Sequence, residues 1–322
     1  MKIGNLKIDG FAGLAPMAGV ADRAMREICV SMGASLTVGE LASAKGISLG
    51  DLKSAEYLKC YDNLGICGPQ LFGCEPEIMA LAAKKALEFC PDFIDINMGC
   101  PAPKIAGGGG GSALMKNPDL AGEIVNAVVS AADVPVTVKM RSGFNAESVN
   151  AVEVAKICEQ AGAAAVTVHG RTREQMYAPP VNYDVIKAVK NAVKIPVIAN
   201  GDIESGKDAK FVYEYTGCDF VLVGRAARGN PFVFKEINAF FENKPYIPPT
   251  LEERLDMCLY HAGLMAKYKE SRTAALECRK HTAWYVTGIN GAATLRRLCG
   301  QINSLDDVKR ICEKALELNK NM

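Results

Sequence analysis

The sequence predicts an α/β protein, a (β/α)8 TIM barrel followed by a small all-helical C-terminal unit, and three observations carry that prediction. Up to about residue 240, short apolar runs rich in β-branched residues alternate with longer amphipathic stretches, the rhythm of a parallel sheet with helical crossovers. Eight such runs can be counted, the number at which a sheet of this kind closes on itself. The pattern stops at the Pro-rich segment NKPYIPPT, residues 243–250, and no strand-like run returns after it.

In chain order the strands are expected at residues 11–15, 35–39, 66–72, 92–97, 134–140, 164–169, 195–200 and 219–224. Between them, PEIMALAAKKALEF, PDLAGEIVNAVVSAA and AESVNAVEVAKICEQAG repeat apolar residues at three- and four-residue spacing, as a helix with one buried face does. After the connector, LEERLDMCLYHAGLMAKYKE, TAALECRKHTAWYVTG, GAATLRRLCGQI and SLDDVKRICEKALELNK read as helices. Thr250 with Glu253 makes a capping box for the first of them, and Ser304 with Asp307 a variant with a shorter acid for the last. The barrel is therefore expected over 1–243 and the helical unit over 250–322.

Composition narrows the function classes. The chain of 322 residues is 49% hydrophobic and 23% charged. It contains no apolar run near the roughly 20 residues that a membrane span needs. The opening MKIGNLKIDGFAGLAPMAG has no h-region of the secretory kind, so a cytoplasmic protein is expected. Twelve Cys are scattered through periodic segments, which favours reduced thiols over a disulfide framework. They lack CxxC spacing, and His169, His261 and His281 lie far from them in sequence, so no metal site is expected. A net charge of +1 predicts no global attraction to nucleic acid. Lys267, Lys269, Arg272, Arg279, Lys280, Arg296 and Arg297 concentrate in the tail, either as an RNA-binding face or as a solvated helical surface. Trp284 and Tyr285 read as core.

In a barrel of this kind the loops after the strands build the active site. Seven of the eight runs end in polar or Gly-rich clusters: APMAG, GPQLFG, INMGCP, VKMRSG, VHGRT, ANGDI and VGRAARGNP. The last two suggest a phosphate cradle, in which Gly201 and Gly224 let backbone approach closely and Arg225 supplies a guanidinium. The alternative is that Gly224 and Arg225 only turn the chain and cap a helix. Lys139 points either into the barrel mouth, where a flavin would need a fixed cation, or onto the surface. His169 is either a donor to a cofactor or an ordinary core residue. Cys100, flanked by Asn97, Gly99 and Pro101 just past a strand, sits where a loop exposes side chains to the mouth. A largely protonated thiol there could serve as a general acid as readily as a nucleophile.

Taken together, APMAGVAD, GPQLFG, DINMGCP, VTVKMRSG, VHGRTREQMY, IPVIANGDI and VGRAARGNP resemble the bacterial tRNA-dihydrouridine synthases, most closely their B-type subfamily. The resemblance extends through RKHTAWYVTGINGAATLRR, which is similar to that family's RNA-binding domain. It implies an FMN- and NADPH-dependent oxidoreductase that reduces uridine in tRNA to 5,6-dihydrouridine, with hydride passing from the flavin to C6 and a proton from Cys100 to C5. It also implies that Pro16, Met17 and Ala18 line the isoalloxazine and that Gln70 and Lys139 bind its polar edge. His169 would contact the flavin, and Asn200, Gly201, Asp202, Gly224 and Arg225 would hold the ribityl phosphate. Asn97, Arg141 and Arg171 would meet the uracil or nearby RNA.

Two substrate-side loops depart from the family pattern. Ala106 is followed by five Gly where relatives carry a mixed polar loop, and APPVNYDVI follows Tyr177 where they carry a Gly-containing stretch ending in Asp-Trp. These departures leave ribosomal RNA, a flavin-bound one-carbon chemistry, or RNA binding without turnover as alternative readings.

Overall fold

A computed structural model describes residues 1–320. It contains ten strands: β1 (Lys2–Ile3), β2 (Leu6–Lys7), β3 (Ala12–Leu14), β4 (Thr37–Ser43), β5 (Cys67–Phe72), β6 (Ile94–Met98), β7 (Val136–Gly143), β8 (Ala165–Thr172), β9 (Val197–Asn200) and β10 (Phe220–Val223). The last eight close a parallel barrel in the order β10-β3-β4-β5-β6-β7-β8-β9; crossovers join β3 through β10 in chain order, and pairing of β10 with β3 closes the ring. This is the (β/α)8 barrel that the alternation predicts. The hairpin β1–β2 is additional. Its strands have two residues each, too few for a periodicity to register, but Ile3 and Ile8 are buried with Phe93, Ile198 and Phe220 in the cluster that fills the barrel interior.

Alternation along the strands positions the site. On β6, β7 and β8 the residues Ile94, Ile96, Met98, Val136, Val138, Met140, Val166 and Val168 pack outward in the core between barrel and helices. Successive side chains of a strand point to opposite faces, so Asp95, Asn97, Thr137, Lys139, Arg141, Thr167 and His169 face the lumen. Registration sets them in rows: Asn97 pairs with Lys139, and Arg141 with His169, which pairs with Asn200. The strands β7 and β8 run three residues past their expected ends, because the ladder resumes beyond an irregularity between Arg141 and Gly143. An apolar pattern cannot reveal a polar continuation of this kind.

The helix Val233–Phe241 is the last of the barrel, and residues 242–250 connect it to the helices Leu251–Tyr268, Ser271–Tyr285, Ala292–Cys299 and Leu305–Asn319. Both expected capping boxes, at Thr250 and Ser304, are formed. Residues 321 and 322, the end of the expected helical unit, lie outside the described residues. The core of these helices takes in Ala24 and Ile28 from the barrel helix Arg23–Ser31. Asp22 caps that helix by accepting the Met25 N–H at 2.9 Å, and its second oxygen pairs with Lys269. Tyr268 donates to Glu27 at 2.6 Å, and the Arg23 guanidinium lies between the Tyr61 and Tyr268 rings, 3.6 and 3.9 Å from their centroids. Among the described residues, no helix is long and apolar enough to cross a membrane.

Candidate active site

The C-terminal ends of the strands bring most of the expected residues into one hydrogen-bonded system. Gln70 on β5 is fully buried, and its Oε1 accepts from Asn97 Nδ2 at 2.8 Å. The Lys139 ammonium lies in the mouth and donates to Asn200 Oδ1 at 3.0 Å, while Asn200 Nδ2 donates to the Leu222 carbonyl at 2.8 Å. His169 lies beside Asn200 in the same row, with Arg171 Nη1 3.4 Å from its Nε2. A guanidinium has only donors, so Nε2 is the acceptor and the ring proton belongs on Nδ1. Burial, reinforced by Lys139, Arg141, Arg171 and Arg225, pushes His169 down to about 2. It is therefore a neutral imidazole at any working pH.

Asp202 gathers the cations of the β8, β9 and β10 loops. It takes two bonds from Arg171, at 2.9 and 2.5 Å, and one from Arg225 at 2.7 Å. The Arg171 guanidinium holds its carboxyl below the usual range. Arg171 is almost fully buried, and its Nε donates to the Ala178 carbonyl, so its guanidinium is bonded into the loops rather than displayed to solvent. Arg141 is also buried; its Nε reaches the Gly99 carbonyl and its Nη1 the Thr172 and Met176 carbonyls, each at 2.8 Å, which ties the β6 loop to the β8 loop. Arg225 is more open, with the Tyr177 ring 4.9 Å away. Tyr177, half-exposed, and the lumenal pair Asp95 and Thr137 are site residues that the strand-end reading passed over. Polar residues alternating with Ile94, Ile96, Val136 and Val138 are the signal that finds the last two.

Cys100 lies half-buried in the turn after β6. Its N–H donates to Asn97 Oδ1 at 2.9 Å, and its carbonyl accepts from Ser112 N at 3.1 Å. Pro16, Met17 and Ala18 form the turn after β3, in which the Met17 carbonyl accepts from Val20 and Ala21. Two glycines follow the neighbouring strands β9 and β10. Gly201, at φ +124°, has no space for a Cβ, which would meet His169 and Val181 at 3.0 Å. At Gly224 a Cβ would meet only ordinary contacts, Met17 Sδ at 3.9 Å and Ala15 Cβ at 4.0 Å. A bare backbone at the β9 and β10 loops, four cations against two carboxylates, and inward amide and imidazole donors together fit a flat polar ring with an anionic tail. Beside Ala18 and Gly19 a cleft of about 530 Å³ opens between the barrel and the helical region, lined also by Arg23, Glu40, Tyr268 and Lys269. Among the described residues, no group of three or more His, Cys, Asp or Glu side chains is placed to hold a metal ion.

The model of the dihydrouridine synthase (Dus) family matches residues 13–321. The chain belongs to the dihydrouridine synthase family. It is 42% identical over 305 residues to the tRNA-dihydrouridine synthase B of Vibrio vulnificus, covering 94% of this chain and 95% of the relative. Its identity to the tRNA-dihydrouridine synthase B of Pasteurella multocida is 40% over 310 residues, 96% of this chain and 92% of that one. Among solved structures, the old yellow enzyme homologue (NCR) of Zymomonas mobilis superposes with a TM-score of 0.55 at 13% identity, covering 79% of this chain and 94% of that chain. At that identity the match speaks to the barrel fold alone. The family match covers the helical region as well as the barrel, including the two loops whose sequences depart from the pattern.

Proposed function

We propose that this dihydrouridine synthase homologue is a cytoplasmic, FMN-dependent enzyme that reduces uridine in tRNA to 5,6-dihydrouridine and draws its reducing equivalents from NADPH. The observation that carries the reading is the coincidence, at one barrel mouth, of a donor-lined floor, a cationic Gly-backed cradle and the Cys100 turn, in a chain matching that family over nearly its whole length. Residues 1–243 act as the catalytic barrel and 250–322 as the RNA-binding unit.

Bound at this mouth, the flavin supplies the hydride that goes to C6 of the uracil. Pro16, Met17 and Ala18 would line the ring, Gln70 and Lys139 would bind its polar edge, and the neutral His169 would offer its Nδ1–H. Gly201 and Gly224 would present backbone to the phosphate, with Asn200 and Asp202 fixing the loops and Arg225 adding charge. Cys100 gives its proton to C5, which completes the addition of one hydride and one proton across the C5–C6 double bond; the thiolate is reprotonated from solvent. Asn97 faces the uracil, and Arg141 and Arg171, bonded to loop carbonyls, shape the substrate side of the pocket. A uracil stacked within folded RNA must leave its stack to reach a mouth of this kind.

The deciding experiment is mass spectrometry of nucleosides from separately purified tRNA and rRNA, after expression in cells lacking every endogenous dihydrouridine synthase. Dihydrouridine in tRNA is expected, and its loss in a Cys100→Ala variant that still carries flavin assigns the proton donor. Full activity in that variant removes the assignment. Dihydrouridine in rRNA alone would change the substrate, and none in either RNA from flavin-loaded protein would remove the reductase reading.

A further inference from the structure

One layer below the mouth, inside the barrel, Asp95 and Thr137, to which the reaction above gives no task, are bonded to Gln70 and through it to Asn97. Asp95 on β6 is 2% exposed. Its Oδ1 accepts from Thr137 Oγ1 and its Oδ2 from Gln70 Nε2, each at 2.6 Å. An ionised carboxylate only accepts hydrogen bonds, so it dictates which way round the Gln70 amide lies. With its NH2 turned to Asp95, Gln70 has its carbonyl left for Asn97 Nδ2, at 2.8 Å. Asn97 in turn has its own carbonyl left for the backbone N–H groups of Gly99 and Cys100, at 3.2 and 2.9 Å. Each junction has one donor and one acceptor, and reversing either amide sets donor against donor.

We infer that Asp95 is a positioning residue for the Cys100 turn, acting through the Gln70 and Asn97 amides in series. Burial pushes the Asp95 carboxyl up to about 6, while Thr137, Gln70 and the Lys139 ammonium oppose that rise, so it remains ionised at neutral pH. Among the described residues, Lys139 is the one charged group facing it, and Gln70 and Thr137 are its neutral partners from β5 and β7. The inference rests on the assignment of Cys100 as proton donor, but its first readout does not need turnover.

Two substitutions separate orientation from charge. Asp95→Leu keeps a branched side chain and removes both acceptors, freeing the Gln70 amide to turn. Asp95→Asn retains one acceptor for Gln70, and the Thr137 hydroxyl, which can accept as well as donate, turns to meet the new NH2. That costs less than reversing two amides and stranding two backbone N–H groups. Hydrogen exchange at the Gly99 and Cys100 amides, followed by NMR, should be about tenfold or more faster in Asp95→Leu and close to unchanged in Asp95→Asn. With tRNA, kcat should fall about tenfold or more in Asp95→Leu with KM little changed, and Asp95→Asn should restore it.

Asp95→Leu with unchanged exchange and kcat would reduce Asp95 to core packing. Asp95→Asn losing protection or kcat about tenfold would show that the charge matters rather than the acceptor, and it decides the question where Asp95→Leu does not fold. Wild-type protein that makes no dihydrouridine would sink the functional reading, with amide exchange still deciding whether Asp95 orders the turn.

Discussion

The Lys139 ammonium has three N–H groups and one protein acceptor, Asn200 Oδ1, so two donors remain for a ligand in the mouth. Burial, followed by the Arg141 charge, pulls it down to about 8, and Asp95 offsets part of that. The sign follows directly: a lysine with a lowered value loses its charge as pH rises through 8, and with it the attraction for an electron-rich ring edge or an anion. Flavin affinity, measured by fluorescence titration, should therefore weaken above pH 8 in the wild type. Lys139→Met keeps the length and removes both charge and donors. It should bind flavin more weakly with a flat pH profile, and slow flavin reduction by NADPH, the reductant proposed above, about tenfold or more. Unchanged binding and reduction would leave Lys139 with the single task of holding Asn200. His169 contributes differently: burial, reinforced by four surrounding cations, keeps it neutral, so its part is to orient by hydrogen bonding rather than to carry charge.

Two helices of the C-terminal region, Leu251–Tyr268 and Ser271–Tyr285, face each other through His261 and His281, whose ring centroids are 4.5 Å apart. Both are buried, and neither Nε2 has a hydrogen-bond partner. Burial pulls His261 down to about 4, against the opposing field of Asp22, and pulls His281 well below its ordinary value, with the His261 charge adding to it. An unfolded chain takes up these protons near pH 6.5 and the folded one does not, so the unfolded state binds more protons between about 6.5 and 4. Stability must fall as pH drops through that window, by on the order of 3 kcal/mol from His261 alone. Thermal unfolding followed at several pH values should show this fall, and His281→Gln should flatten part of it; an unaltered slope would locate the acid sensitivity elsewhere. At this scale the sequence is legible where local chemistry governs. Thr250 and Ser304 announce their helices through capping boxes, and the barrel strands through β-branched runs. The His pair is illegible, because 20 residues separate its members and only docking of the two helices brings the rings edge to face. The same holds for Asp202 with Arg171, 31 residues apart. Lys269, read in the sequence either as part of an RNA-binding face or as a solvated helical residue, is paired with Asp22 and Glu277 inside the junction.

For the tRNA substrate proposed above, the attitude of the helical region to the barrel mouth decides how RNA is presented, and the junction is built close to the candidate phosphate cradle. Past Arg225, the β10 loop runs into Arg228, whose guanidinium lies 4.9 Å from the centroid of the Trp284 ring, and Gly229, at φ +66°. A Cβ at 229 would lie 2.5 Å from the Trp284 carbonyl carbon and 2.7 Å from its oxygen, which are backbone atoms that cannot swing aside. Gly229→Ala combines that clash with a backbone conformation unfavourable to alanine, so the helical region must shift or the loop must. The expected result is a folded barrel with a lower Tm and KM for tRNA raised about tenfold. Because the cradle is nearby, the shift needs a second probe on the far side of the same junction. Asp22→Asn retains the cap on Met25, since Asn caps as well as Asp, but removes the charge that pairs with Lys269. If the two regions must be locked together to present RNA to the mouth, both variants raise KM for tRNA while flavin content stays near one per chain in Asp22→Asn. A rise in Gly229→Ala alone, with flavin lost in parallel, would trace the defect to the phosphate cradle and leave the attitude of the helical region without influence on RNA.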